Sequence, residues 1–163
     1  MKYKSILFLC TGNACRSPMA EGILKRLMKS RDVVIRSAGT HAIEGLPPSE
    51  NSVAVMKENG IDISRHKARS LTKKMLKESD LVLAMAPEHV DYIRTFFPRY
   101  FDKVYLLKKF GRENRYIEDE AIHDPIGGDE SVYRECYTIL ENEVIRVASI
   151  LFDETIRDED SEQ

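Results

Sequence analysis

Apolar residues fall into short solid runs that alternate with longer stretches of helical period. Ser5 to Leu9 is almost unbroken and reads as a short buried strand. From Pro18 to about Ser30, Met19, Ile23, Leu24, Leu27 and Met28 share one stripe, with Glu21, Lys25, Arg26 and Lys29 off it. That spacing predicts an amphipathic helix, with Ser17 as N-cap and Pro18 at the first helical position. Gly22 within it permits close packing on a sheet. Val33 to Arg36 is a β-branched run and a second strand, ended by Ser37-Ala38-Gly39. Pro48 to Asn59 predicts a second helix that buries Val53, Ala54 and Met56 and stops at Gly60. Thr72 caps a short helix to about Ser79. Leu81 to Met85, apolar throughout, is a third strand. Pro87 to about Phe97 is helical up to Pro98, and Val104 to Leu107 is a fourth strand. Lys108 to Gly128 is a long polar connection without period, a length that usually marks function or mobility. The last helix opens at Ser131 or a neighbour. Tyr133, Cys136, Tyr137, Leu140, Val144, Val147 and Leu151 form its stripe, which places Cys136 in the core.

Strands alternating with helices imply a doubly wound α/β fold with a parallel sheet and right-handed crossovers. The expected organisation is a single domain over residues 1–152, then an acidic tail over 153–163 that frays. In such a sheet, ligands sit beyond the carboxyl ends of the strands.

Composition narrows the function. Of 163 residues, 42% are hydrophobic and 32% charged, and the net charge is −2, which argues against a general nucleic-acid binder. No apolar run approaches membrane-spanning length, and Ile6 to Leu9 is too short for a signal-peptide core. Three Cys form no disulfide framework, which suits a reducing cytoplasm. The four His are scattered, and Cys10 and Cys15 are spaced wrongly for a zinc knuckle. No metal or cofactor is expected.

The candidate chemistry lies between the first strand and first helix, in Cys10-Thr11-Gly12-Asn13-Ala14-Cys15-Arg16-Ser17-Pro18. The backbone amides of Thr11, Gly12, Asn13, Ala14 and Cys15 can turn inward as a nest, and the helix adds its positive end, so a tetrahedral oxyanion such as phosphate fits. Arg16 can grip two of its oxygens. Cys10 at the strand end would be held as a thiolate and attack phosphorus. Cys10 and Cys15 share the short loop and suggest a reversible disulfide. Completing a phosphocysteine cycle needs a carboxyl group that acts as acid and then as base. Asp124, in His123-Asp124-Pro125-Ile126-Gly127-Gly128, is the best local candidate, with Glu118, Asp119 and Glu120 as competitors.

Cys10 to Glu21 resembles the signature of the low-molecular-weight protein tyrosine phosphatases. The resemblance runs on through Arg36 to Gly39, Gly60 to Arg69, Asp80 to Met85 and Asp124-Pro125, nearly the whole chain. It implies a three-layer sandwich: a four-stranded parallel sheet with helices on both faces. It makes Cys10 the nucleophile, Arg16 the phosphate and transition-state clamp and Asp124 the general acid and base. It also gives Asn13 the task of holding the loop backbone, Ser17 that of donating a hydroxyl to the Cys10 sulfur, and His66 that of supporting Asn13 and Ser17. Phosphotyrosine-specific members often carry aromatic residues after the acid and a bulky aliphatic after the nucleophile; here those places hold Ile126, Gly127 and Thr11. The chain is therefore more similar to the bacterial protein arginine phosphatase branch. The implied substrate is a phosphorylated protein, with phosphoarginine favoured over phosphotyrosine, and a monomer is expected, with no nucleic acid or membrane as partner. An arsenate reductase of this fold would need further cysteines near the third strand, and Leu81 to Val90 contains none. A non-catalytic phosphoprotein-binding module would lose the nucleophile, clamp or acid, yet Cys10, Arg16 and Asp124 are all present.

Overall fold

The computed structural model describes residues 2–161, and the side chains of residues 2–151. Four strands, β1 (Ser5–Cys10), β2 (Val34–Gly39), β3 (Leu81–Ala84) and β4 (Val104–Leu106), form one sheet in the order β2-β1-β3-β4. Every pairing is parallel. Five helices connect or flank them: α1 (Arg16–Leu27), α2 (Glu50–Glu58), α3 (Lys73–Glu78), α4 (Pro87–Phe96) and α5 (Glu130–Ser161). A 3-10 helix, Pro98–Lys103, leads into β4. The backbone of α5 is helical to Ser161, through most of the tail expected to fray, 153–163; residues 162–163 lie outside the described residues.

Side-chain alternation along β1 divides the core. Ile6, Phe8 and Cys10 face a layer built from α1, α2 and α5, while Leu7 and Leu9 face Leu76 of α3 and Ile93 of α4. The anticipated stripe of α5 is buried from Tyr133 through Leu151, Cys136 included. Among the described residues, no helix is long and apolar enough to cross a membrane.

Several sequence expectations need correction. Helix α1 begins at Arg16, not Pro18, with Cys15 at the N-cap position and no side-chain cap bond. Ser17 is therefore inside the first turn, and its hydroxyl is free for other partners. Pro18 costs nothing there, because first-turn amides have no helical acceptor. Glu21, placed off the apolar stripe, is 5% exposed, while stripe residue Leu27 is 41% exposed. Gly22 packs against Met56, Ile61 and Ile63 rather than against the sheet. In α2 the buried positions are Ser52, Val55 and Met56 rather than Val53 and Ala54. Strand β2 continues through Gly39, opposite Cys10. A Cβ on Gly39 would lie 2.4 Å from the Thr11 carbonyl oxygen and 3.0 Å from the Asn13 nitrogen. Only glycine lets the strand end slide beneath the loop.

Candidate active site

The chain leaves β1 for β2 on one side and later returns for β3 on the other. The carboxyl end of β1 is thus the point where strand order reverses, and the Cys10 loop sits there. Within the loop Asn13 adopts φ +53°, a left-handed conformation that Asn tolerates better than most residues. The Asn13 N–H donates to Cys10 Sγ at 3.3 Å.

A buried hydrogen-bond chain behind the loop has a fixed direction. The Glu21 carboxylate can only accept, so Ser37 donates its hydroxyl proton to Oε2 at 2.5 Å. Asn13 Oδ1 accepts from the Arg69 amide at 3.0 Å, which orients the side-chain amide. Asn13 Nδ2 then donates to Ser37 Oγ and Ser17 Oγ, 2.9 Å each. The remaining proton of Ser17 faces Cys10 Sγ at 2.8 Å. His66 Nε2 donates to the Asn13 carbonyl at 3.0 Å, and its Nδ1 lies 3.7 Å from Glu21 Oε2. Lys25 also pairs with Glu21, at 2.8 Å. The burial of Glu21 follows from this demand for an anion, which helical periodicity does not report. Burial holds His66 below its ordinary value, against the pull of the Asn13 carbonyl and the Glu21 carboxylate.

Arg16 is buried and divides its fork. Nη1 donates to the Ile122 carbonyl at 2.9 Å, and Nη2 reaches Asp124 Oδ2 at 3.3 Å and Thr11 Oγ1 at 3.4 Å. Ile122 is itself anchored, its amide donating to the Met85 carbonyl at the end of β3, at 2.7 Å. That one buried residue delivers Asp124, two positions later, to the cleft. Cys10, Thr11, Gly12, Ala14, Cys15, Arg16, Asp124 and Ile126 line a cleft of about 120 Å³. Asn13, Ser17 and His66 form its support. Cys10 through Ser17, His66 and Asp124 are thus in or directly behind one cleft. The competing carboxylates turn elsewhere: Asp119 to His123 at 2.9 Å, Glu120 to Lys109 at 2.7 Å, while Glu118 is exposed.

Burial pushes the Cys10 thiol up from its ordinary value, opposed in order by the Ser17 hydroxyl, the Arg16 guanidinium and the Asn13 amide. The thiolate expected from sequence therefore depends on those donors acting together against desolvation. Cys15 Sγ is engaged by other partners, 3.3 Å from Ser49 Oγ and 3.4 Å from Tyr133 Oη. Cys136 is core, and burial pushes its thiol up to about 12.

One side chain at the cleft was not anticipated. His89, in the first turn of α4, is buried, and its Nε2 lies 2.8 Å from Thr11 Oγ1. A polar residue just past the carboxyl end of β3, beside β1, was the only sequence signal for it.

Known proteins share this fold. Residues 5–160 match the family model described as low molecular weight phosphotyrosine protein phosphatase. The chain is 40% identical to a protein-arginine-phosphatase of Geobacillus stearothermophilus, over 93% of this chain and 97% of the relative. The solved YwlE arginine phosphatase from Geobacillus stearothermophilus superposes with a TM-score of 0.85 at 39% identity, covering 94% of this chain and 96% of that one. A low molecular weight protein tyrosine phosphatase from T. tengcongensis superposes with a TM-score of 0.82 at 41% identity, covering 89% and 97%.

Proposed function

The chain belongs to the low molecular weight phosphotyrosine protein phosphatase family, and we propose that its cleft hydrolyses phosphoarginine in preference to phosphotyrosine, with Cys10, Arg16 and Asp124 carrying the reaction. The protein is a cysteine-dependent phosphatase of phosphorylated protein side chains. In the proposed cycle the Cys10 thiolate attacks phosphorus, and the bond from phosphorus to the leaving nitrogen or oxygen breaks. Asp124 gives its proton to that leaving atom. Water then attacks the phosphocysteine, Asp124 takes a proton from the water, and the phosphorus–sulfur bond breaks to release phosphate and the thiolate. Arg16 turns its fork onto the phosphoryl oxygens, which carry the developing charge. Ser17 donates to the sulfur as it leaves.

Both substrates form the same phosphocysteine, so discrimination belongs to the first half of the cycle. Thr11 Oγ1, 3.4 Å from Arg16 Nη2 at the cleft wall, is the observation that carries the preference. Once Nη2 moves to the phosphoryl group, Thr11 has a lone pair for a guanidinium N–H next to phosphorus. The bridging oxygen of phosphotyrosine has no proton to offer it. Ile126, 72% exposed at the mouth, supplies an apolar wall and favours the alternative, phosphotyrosine.

Side-by-side kcat/KM values on phosphoarginine and phosphotyrosine peptides test the preference. Phosphoarginine should be faster, and Thr11→Ile should depress it by about one to two decades, the loss of one hydrogen bond, while sparing phosphotyrosine. Faster phosphotyrosine turnover, with Thr11→Ile lowering both equally, would make Thr11 mere loop structure.

A further inference from the structure

His89 sits where two hydrogen bonds dictate its tautomer. The Ala86 amide donates to His89 Nδ1 at 3.1 Å, the reach-back made by a side chain three positions into a helix. A backbone N–H can only donate, so Nδ1 is bare and the ring proton is on Nε2. Nε2 lies 2.8 Å from Thr11 Oγ1, so there the imidazole donates and Thr11 accepts. His89 is 1% exposed.

The consequence falls on Thr11. Its hydroxyl and methyl are close in size, and a 120° turn about χ1 carries the methyl into the place the hydroxyl now holds. A donor aimed at one position holds the hydroxyl there and keeps the methyl out of it. With one lone pair on His89, the hydroxyl retains one lone pair and one proton. The proton can serve a phosphoryl oxygen while the lone pair accepts from the N–H beside phosphorus. Burial and the neighbouring Arg16 charge keep the ring neutral, at about 4, so this arrangement is stable at neutral pH.

We propose that His89 is a specificity-determining positioning residue: through its Nε2–H it fixes the Thr11 hydroxyl in the orientation that selects phosphoarginine. This rests on the reading of Thr11 given above. His89 touches no reacting atom; it acts through Thr11, across 78 residues of sequence.

The two ring nitrogens allow the cap and the donor to be separated. In His89→Asn, the amide oxygen falls near the place of Nδ1 and keeps the Ala86 bond, while nothing reaches Thr11. In His89→Gln, the longer amide reaches Thr11 and restores a donor. The kcat/KM ratio of phosphoarginine to phosphotyrosine peptides should fall about ten-fold in His89→Asn, the worth of one hydrogen bond, and return to within about three-fold of wild type in His89→Gln. In a Thr11→Val background, which lacks the hydroxyl, His89→Asn should change the ratio no further. A His89→Asn effect that lowers both substrates equally, or that persists undiminished beside Thr11→Val, overturns the proposal while leaving the substrate reading intact. If Thr11→Val by itself leaves the ratio unchanged, both fall together. A check without variants is ring-nitrogen NMR of the native protein at pH 7: the Nε2-protonated tautomer of His89 is expected, and an Nδ1-protonated ring refutes the mechanism.

Discussion

Replacing Ser17 by Ala tests how the nucleophile is ionised. Cys10 is 2% exposed and Ser17 fully buried, so no solvent substitutes for the lost hydroxyl. Burial already raises the Cys10 thiol, and the Ser17 bond at 2.8 Å is the largest of the influences opposing it. A hydrogen bond to a charged group contributes ~1.5–3 kcal/mol. Its loss destabilises the thiolate relative to the thiol, so the thiol titrates at higher pH in the variant. Below that titration, at about 1.4 kcal/mol per decade, the thiolate fraction falls by about ten- to a hundred-fold. The rate of alkylation by iodoacetate against pH reports this directly, because only the thiolate reacts. The curve should move to higher pH in Ser17→Ala, with kcat/KM at neutral pH falling in parallel. The same change leaves one Asn13 Nδ2 hydrogen without an acceptor, so the urea midpoint should also drop modestly. An alkylation curve that superposes on wild type would refute the reasoning, and a drop in stability alone would reduce Ser17 to a structural residue.

The acid is tested by Asp124→Ala, expected to lower kcat on poor leaving groups by about 10²–10⁴-fold with little change in affinity; the same signature from Glu118, Asp119 or Glu120 would reassign the role. Mild peroxide followed by thiol should restore activity in the native protein and much less in Cys15→Ala, although Cys15 must first turn from Ser49 and Tyr133 to reach Cys10; equal recovery in both rejects the disulfide. His89 titrates at about 4 in the folded protein against an ordinary value of 6.5, so the unfolded chain binds the extra proton first as pH falls. Its contribution is complete above pH 6.5 and is lost progressively towards pH 4, about 3 kcal/mol in all, so unfolding free energy against pH should be flatter across that window in His89→Asn.

What the sequence determined by itself is local. Strand, loop and helix from Ser5 to Leu27 are contiguous, so apolar run, loop spacing and helical period were enough to place Cys10 and Arg16 in one loop between the first strand and the first helix. Alternating strands and helices likewise determined a parallel sheet, because crossovers of that length allow little else. Even there, short-range logic misread Ser17 as a cap and Glu21 as solvated, because both are claimed by partners outside the helix, Cys10 and Asn13 for one and Ser37, with His66 close by, for the other. Asp124 meets Arg16 across 108 positions, through an anchor at Ile122 that no periodicity marks. The residue resemblance pointed to Asp124; only the folded chain turned its competitors towards Lys109 and His123. His89 was illegible for the same reason. Hydrophobic pattern records which face of an element is buried, whereas the pairing of buried polar groups is decided only when distant elements close around one cleft and each donor must find its acceptor.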